Sequence, residues 1–164
     1  MKTWGVTGWK NAGKTGLMER LVTEFCARGL SVSTVKHAHH HFDVDQPGKD
    51  SHRHREAGAQ EVLLTSGRRW ALMHENRGAP EPALADHLAR LAPVDLVLIE
   101  GFKTEAHPKI EAFRAATGNP LIQPGDPTIV AIASDTALPD VSCPVFDLDD
   151  TPAIADFIAG QIGL

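Results

Sequence analysis

Residues 8–15 of this chain read Gly-Trp-Lys-Asn-Ala-Gly-Lys-Thr and fit the spacing G-x-x-x-x-G-K-[ST] without a gap. Successive backbone N–H groups can wrap a phosphate only where the chain turns tightly, and the two glycines permit that turn. The lysine would reach the β- and γ-phosphates of a nucleotide, and the next hydroxyl would bind the Mg²⁺ that bridges them. The pattern therefore predicts nucleotide binding by Gly8, Trp9, Lys10, Asn11, Ala12, Gly13, Lys14 and Thr15.

The segments around this loop match the context that a phosphate-binding loop needs, which is a strand before it and a helix after it. Thr3–Thr7 is rich in β-prone residues. Apolar residues then recur every four positions and predict an amphipathic helix from Lys14 to a C-cap near Gly29. They are Leu17, Leu21 and Phe25. Cys26 is predicted to pack on the apolar face of this helix.

Composition limits the classes of protein that this chain can represent. Its 164 residues, 42% of them apolar, are enough for one domain with its own core, spanning residues 1–164. The net charge of −5, with both signs interspersed, argues against a nucleic-acid or membrane partner. Cys26 and Cys143 form no disulfide or zinc pattern. We expect a cytoplasmic protein, because neither a leader nor an apolar run of membrane-spanning length is present.

Strand and helix patterns alternate along the chain, which predicts an α/β fold. We expect a phosphate-loop NTPase fold with a mostly parallel central sheet, flanking helices and a hairpin extension. The hairpin would join Glu61–Thr65 to Arg69–Met73. Asp95–Gly101 is an apolar run typical of a strand buried on both faces, with Ile129–Ala133 as its expected neighbour. Further predicted elements are strands at Ser31–Lys36 and Pro144–Asp147 and helices at Asp50–Ala57, Pro80–Leu91 and from Asp150 onward. Asp50-Ser51 is the expected N-cap of the first of these helices.

Ligands bind beyond the carboxyl ends of the strands in such sheets, and three residues stand at those ends. Glu100 could hold Mg²⁺ directly or through water, act as a base toward the attacking water, or be a solvated acid. Gly101 would let the backbone approach the γ-phosphate. Asp135 could accept hydrogen bonds from guanine N1 and N2, or could cap a turn. We therefore predict Lys14 and Glu100 as catalytic residues, with Thr15 and Glu100 as Mg²⁺ ligands.

A polar segment of unusual composition follows the second predicted strand, at residues 37–51. It is interpreted as a switch or substrate loop, whose candidate residues are His37, His39, His40, Asp43, Asp45, Lys49 and Asp50. The histidines could bind a transition metal, whereas the carboxylates suit Mg²⁺ better. A mobile polar loop is the remaining alternative. Residues 52–55, His-Arg-His-Arg, indicate either an anion-facing helix edge or a solvated face.

Taken together, these segments resemble the molybdopterin-guanine dinucleotide biosynthesis protein B family over nearly the whole chain. The most distinctive part is the histidine-rich stretch that ends in Pro47-Gly48-Lys49-Asp50-Ser51. The other matching parts are the phosphate loop, Ala57–Ala59, Arg69–Met73, Val97–Lys103 and Ala133–Asp135.

The resemblance implies a GTP-binding protein with Mg²⁺ and at most weak GTPase activity. It would assist a partner nucleotidyltransferase that joins GMP to molybdopterin, and it would form a homodimer. The loop at residues 37–50 would lie toward the nucleotide or the pterin, which leaves open whether molybdopterin binds directly. Two alternatives are a small-molecule kinase on the same fold and a histidine-rich metal-delivery NTPase.

Overall fold

A computed structural model describes residues 1–38 and 42–164 of the chain. The chain forms two compact units, one of residues 1–37 with 90–164 and the other of residues 38–89. The expectation of a single domain stays a prediction. Among the described residues, no helix combines the length and the apolar character needed to cross a bilayer.

The described residues form strands and helices in alternation for much of the chain. The strands are β1 (Lys2–Thr7), β2 (Val32–Lys36), β3 (Glu61–Thr65), β4 (Trp70–His74), β5 (Leu96–Glu100), β6 (Lys109–Phe113), β7 (Ile129–Ser134) and β8 (Val145–Asp147). The α-helices are α1 (Lys14–Ala27), α2 (Asp50–Glu56), α3 (Leu84–Arg90) and α4 (Thr151–Ile162). Most predicted elements are confirmed, although α3 is shorter than the helix predicted over Pro80–Leu91.

The sheet of the first unit has the order β2-β5-β1-β6-β7-β8 among the described residues, and every neighbouring pair is parallel. The phosphate-loop strand β1 lies at its centre. Helices α1 and α4 pack on one face, where they bury Leu21 and Ile158 against Trp4 and Leu98. Asp150 is the N-cap of α4, at the predicted start of this helix, and its side chain accepts a hydrogen bond from the Ala153 amide. The predicted α/β architecture is confirmed.

Strand β6 is the element that the sequence patterns did not predict. It separates β1 from β7, so the expectation that Ile129–Ala133 neighbours Asp95–Gly101 was wrong. Strand β5 instead pairs with β1 and β2, and it is buried along its whole length as predicted. The alternation of charged and apolar residues in β6 is typical of a half-exposed strand. Its Lys109 and Glu111 are nevertheless fully buried.

These two buried charges have polar partners inside the protein. Lys109 Nζ donates hydrogen bonds to the Glu105 carbonyl and to Thr128 Oγ1. Burial lowers the pKa of the Lys109 amine, and the charge of Asp126 opposes that shift. Glu111 accepts hydrogen bonds from the backbone amides of residues 122 and 123, while burial raises its pKa. A charged strand can therefore sit inside the sheet, because its polar atoms are satisfied.

The second unit contains the predicted hairpin, in which β3 and β4 pair antiparallel. Helix α2 begins at Asp50 as expected, but its N-cap is Lys49 and no side chain caps it. The prediction of an Asp50-Ser51 cap was wrong, because the Ser51 hydroxyl donates to Asp45 instead.

Cys26 is exposed, so its predicted place in the core was also wrong. Cys26 follows Phe25 by one residue, which corresponds to a rotation of about 100° around α1. This rotation places Cys26 outside the buried face of the helix.

Candidate nucleotide site

The phosphate loop joins the end of β1 to the start of α1, which is the strand and helix context that the motif requires. Gly8 has φ +140°, and a Cβ atom at that position would collide with the carbonyl oxygen of Ala112 on β6. Gly13 has φ +98° and forms the N-cap of α1. Side chains rarely adopt either conformation, so both glycines are required by the backbone path.

Lys14 begins α1, and its ammonium donates a hydrogen bond of 2.7 Å to the carbonyl oxygen of Trp9. Burial lowers the pKa of the Lys14 amine, and the negative charge of Glu100 opposes that shift. The positive charges of Lys103 and Lys36 lower this pKa further. One acid and three lysines therefore converge at this end of the sheet, which is an arrangement suited to binding an anion.

Glu100 ends β5 beside the phosphate loop, with 11% of its side chain exposed. Its Oε1 lies 3.3 Å from Nζ of Lys36, the residue at the paired position on β2. Gly101 follows, and its amide donates to the carbonyl of Val6 on β1. The predicted neighbours Glu100 and Gly101 thus lie at the same sheet edge as the loop.

Thr15 and Glu100 offer the kind of oxygen donors that Mg²⁺ prefers. Thr15 is exposed in the first turn of α1, and Glu100 is held at the end of β5. Among residues 1–38 and 42–164, no three His, Cys, Asp or Glu side chains form a metal cluster. A nucleotide-bound Mg²⁺ needs only one or two protein oxygens besides the phosphates, so these residues fit the ion.

Trp9 makes two contacts through its ring for which the sequence offered no rationale. Its Nε1 donates a hydrogen bond of 2.7 Å to the carbonyl of Pro120. Lys103 Nζ lies over the ring, 4.8 Å from its centroid. No local pattern could have predicted these contacts, because they join distant parts of the chain.

A cleft of about 370 Å³ adjoins the loop and lies within the size range of small-molecule sites. Its lining residues are Lys10, Asn11, Arg114, Ala116, Thr117 and Asn119. Arg114 also lies beside Gly13, with Nε 3.0 Å from the place of a Cβ there. Asp135 accepts a hydrogen bond of 2.9 Å from the Ala115 amide and so holds the turn that lines the cleft. This hydrogen bond favours the turn-capping interpretation of Asp135, and guanine recognition stays a prediction.

The described part of the candidate loop lies mostly in the second unit. There, Arg55 forms ion pairs with two carboxylates of the loop. Arg55 Nη2 lies 3.0 and 2.8 Å from the two oxygens of Asp43, and Nε lies 3.1 Å from Asp45. Lys49 and Asp50 are exposed.

The histidines of the loop are placed differently. His37 belongs to the first unit and stacks on Phe102, with ring centroids 4.8 Å apart. His39 and His40 lie outside the described residues. The expected roles of the loop toward nucleotide, Mg²⁺ or pterin stay predictions.

The family described as molybdopterin guanine dinucleotide synthesis protein B matches residues 3–135 of the chain. The chain belongs to this family. A relative from Haemophilus influenzae, named molybdopterin-guanine dinucleotide biosynthesis adapter protein, is 42% identical over 94% of this chain and 85% of its own length. An Escherichia coli relative of the same name is 40% identical over 92% of this chain and 87% of its own length.

Solved structures of the MobB family share the fold described above. A MobB protein homolog from Bacillus stearothermophilus aligns with a TM-score of 0.73 at 28% identity, over 99% of both chains. MobB from Bacillus subtilis aligns with a TM-score of 0.75 at 24% identity, over 99% of this chain and 98% of that chain. The resemblance to the family that the sequence motifs indicated is therefore confirmed.

Proposed function

We propose that this chain is a GTP-binding adapter that assists the attachment of GMP to molybdopterin by a partner nucleotidyltransferase. Its family and the names of its relatives support the place in molybdopterin guanine dinucleotide synthesis. The observation that carries the proposal is the phosphate loop, with Lys14 at its end and Glu100 on the neighbouring strand. An adapter of cofactor synthesis would work in the cytoplasm, where we place it.

In this proposal, the backbone amides of residues 8–15 and the Lys14 ammonium hold the phosphates of GTP. Thr15 and Glu100 would hold Mg²⁺, which would supply positive charge that neutralises the phosphates. Gly101 lets the backbone approach the γ-phosphate. The cleft beside the loop receives the nucleoside, and Asp135 contributes to the choice of guanine. The size of the cleft supports the nucleoside assignment. Asp135 would act on guanine choice by holding the turn that lines the cleft, since its carboxylate accepts a hydrogen bond from the Ala115 amide.

GTP hydrolysis by the protein alone is proposed to be slow. Glu100 is the candidate base toward the attacking water, and its Oε1 is paired with Lys36 Nζ at 3.3 Å. A carboxylate oxygen that accepts from an ammonium has fewer lone pairs free to orient a water. Activation would then require a partner that changes this pair, which agrees with an adapter rather than an independent enzyme.

The loop at residues 37–50 is proposed to respond to the bound nucleotide or to contact the pterin or the partner enzyme. The carboxylates of Asp43 and Asp45 are ordered by Arg55, which leaves Lys49 and Asp50 exposed for such contacts. A segment such as residues 43–50, in which two carboxylates are held and other charges are exposed, is suited to recognition.

We further propose that the protein forms a homodimer through one face of the β3–β4 hairpin. Leu63 and Leu72 lie opposite each other in the hairpin register, and Trp70 lies two positions along β4 on the same face. These side chains are 60%, 49% and 68% exposed, respectively. An isolated two-stranded hairpin is only marginally stable in water, so a second copy covering this face would stabilise it.

Titration calorimetry tests the nucleotide assignment. We would titrate a slowly hydrolysed GTP analogue and its ATP counterpart, with Mg²⁺, into wild type, Lys14→Ala and Lys2→Ala. Lys2 is an exposed lysine at the other end of β1 and serves as the charge control. We expect guanine preference, loss of binding in Lys14→Ala and no change in Lys2→Ala. A preference for adenine would favour the kinase alternative, and binding that survives Lys14→Ala would place the site elsewhere.

A further inference from the structure

Trp9 contacts two lysines through different parts of the residue. Its backbone carbonyl accepts a hydrogen bond from Lys14 Nζ, and its ring lies below Lys103 Nζ at 4.8 Å. The ring is fixed by its own hydrogen bond to the Pro120 carbonyl, and 37% of the residue is exposed. Trp9 thus contacts both ammonium groups and is itself fixed in position.

The backbone of the turn after β5 is held in an uncommon conformation before it reaches Lys103. Gly101 has φ +94°, and Phe102 has φ +48°, which is rare for an aromatic residue. Such strain persists only where neighbours maintain it, and here the Phe102 ring packs on His37. The position of Lys103 therefore follows from a constrained turn rather than from a free surface loop.

The two lysines also affect each other electrostatically. Burial is the largest cause of the lowered pKa of the Lys14 amine, and the positive charge of Lys103 lowers this pKa further. Two like charges held near one another favour an anion between them. A cation over an exposed ring is bound more weakly than a cation that donates a charge-assisted hydrogen bond to phosphate. A terminal phosphate would therefore compete successfully with the ring for Lys103.

We propose that Lys103 is a second phosphate-binding lysine, which the Trp9 ring holds in readiness and which moves to the terminal phosphate of a bound nucleoside triphosphate. The inference rests on the proposed nucleotide site and adds to it a means of telling triphosphate from diphosphate. Lys14 would hold the β-phosphate that both nucleotides share and would also reach the γ-phosphate, whereas Lys103 would contact only the γ-phosphate of the triphosphate. Trp9 is a positioning residue in this scheme.

Calorimetric titration with the slowly hydrolysed GTP analogue and with GDP tests the proposal in wild type, Lys103→Ala and Lys2→Ala. We expect Lys103→Ala to weaken binding of the analogue about tenfold or more, the range for one charge-assisted hydrogen bond. GDP affinity should change less than about threefold, and Lys2→Ala should change neither affinity. An equal loss for both nucleotides, or no loss, would overturn the proposal.

Tryptophan emission supplies a second readout, because an indole responds to the removal of a nearby charge. We expect the GTP analogue, but not GDP, to shift the emission of the wild type. The shift should vanish in Trp9→Phe, which keeps Trp4 and Trp70 and retains a ring under Lys103, and it should be lost in Lys103→Ala. A shift that survives in Lys103→Ala would contradict the proposal. If the wild type bound neither nucleotide, the proposed function itself would fail, whereas nucleotide binding indifferent to Lys103→Ala would overturn the inference alone.

Discussion

Lys36 Nζ lies 3.3 Å from Glu100 Oε1, at paired positions on the parallel strands β2 and β5. The pair balances the charge of an acid that is almost entirely buried beside the phosphate loop. A bound Mg²⁺ would compete with the ammonium for the same carboxylate. The contribution of Glu100 to metal binding can therefore be measured separately from its contribution to nucleotide binding.

The change Glu100→Gln is expected to remove most of the Mg²⁺ dependence of nucleotide affinity. The amide keeps the size of the side chain but loses the charge that attracts the ion. Calorimetry with the GTP analogue, with and without Mg²⁺, should show that the enhancement by Mg²⁺ falls about tenfold or more, as for loss of a metal-orienting group. Affinity without Mg²⁺ should not fall, because a negative charge near the phosphates has been removed. Glu19→Gln, an exposed acid on α1, is the control; an undiminished Mg²⁺ effect in Glu100→Gln would contradict the assignment.

His107 is expected to make the protein less stable in mild acid. Neither of its buried ring nitrogens has a hydrogen-bond partner among the described residues. Burial first, and then the charge of Lys109, lowers its pKa to about 4, while Asp126 opposes the shift. The unfolded chain, with a pKa of about 6.5, binds more protons between these values, so stability falls as pH falls through that window.

The size of this effect is on the order of 2–3 kcal/mol. Urea unfolding at pH 7 and at pH 4.5 measures it in wild type and in His107→Leu, whose side chain does not titrate. The acid-induced loss of stability should be smaller in His107→Leu by that amount. His54→Leu, at an exposed histidine, should behave like wild type. An identical loss in His107→Leu and wild type would exclude this residue as the cause.

Arg55 is expected to order the candidate loop, since it contacts Asp43, Asp45 and Glu75 together. Lysine cannot reproduce this planar arrangement of donors. Amide hydrogen exchange at residues 42–50 should become faster in Arg55→Lys, while exchange in β1 and β5 should not change. Arg53→Lys, on the exposed side of the same helix, is the matched control. Unchanged exchange in Arg55→Lys would show that the loop is ordered by other contacts.

The hairpin face is expected to hold two copies of the chain together. The double change Trp70→Ser and Leu72→Ser removes two of its large apolar side chains. Light scattering after size exclusion should report a dimer for wild type and a monomer for this variant. Nucleotide affinity should be retained, because neither residue belongs to the phosphate site. A wild-type monomer, or a variant that remains dimeric, would contradict this role of the hairpin.

Local sequence pattern was sufficient to predict the elements whose characteristic residues are contiguous in the sequence. The phosphate loop, the buried run of β5 and the hairpin were predicted within a few residues of their bounds. Strand β6 was missed because Lys109 and Glu111 suggest an exposed segment, and only their partners in the folded chain reveal that they are buried.

In the candidate site too, local patterns identify some residues, and only the folded structure reveals others. The positions of Lys14, Thr15 and Glu100 at one edge of the sheet could be predicted from one motif and one strand end, and their roles stay predictions. The contacts of Trp9 with Pro120 and Lys103 could not, because they depend on how distant segments meet. The same rule of strand ends that identified Glu100 would have identified Lys36, which ends β2.

The central position of β1 affects when the sheet can form during synthesis on the ribosome. Lys2 pairs with Leu96, and Gly5 pairs with Lys109, so β1 has no neighbour in the sheet until residues 96–113 have been synthesised. Helix α1 can form early, but the sheet edge that carries the phosphate site must wait for β5. We therefore expect nascent chains to expose the apolar surface of β1 until β5 has been synthesised, and to depend on chaperones during that interval.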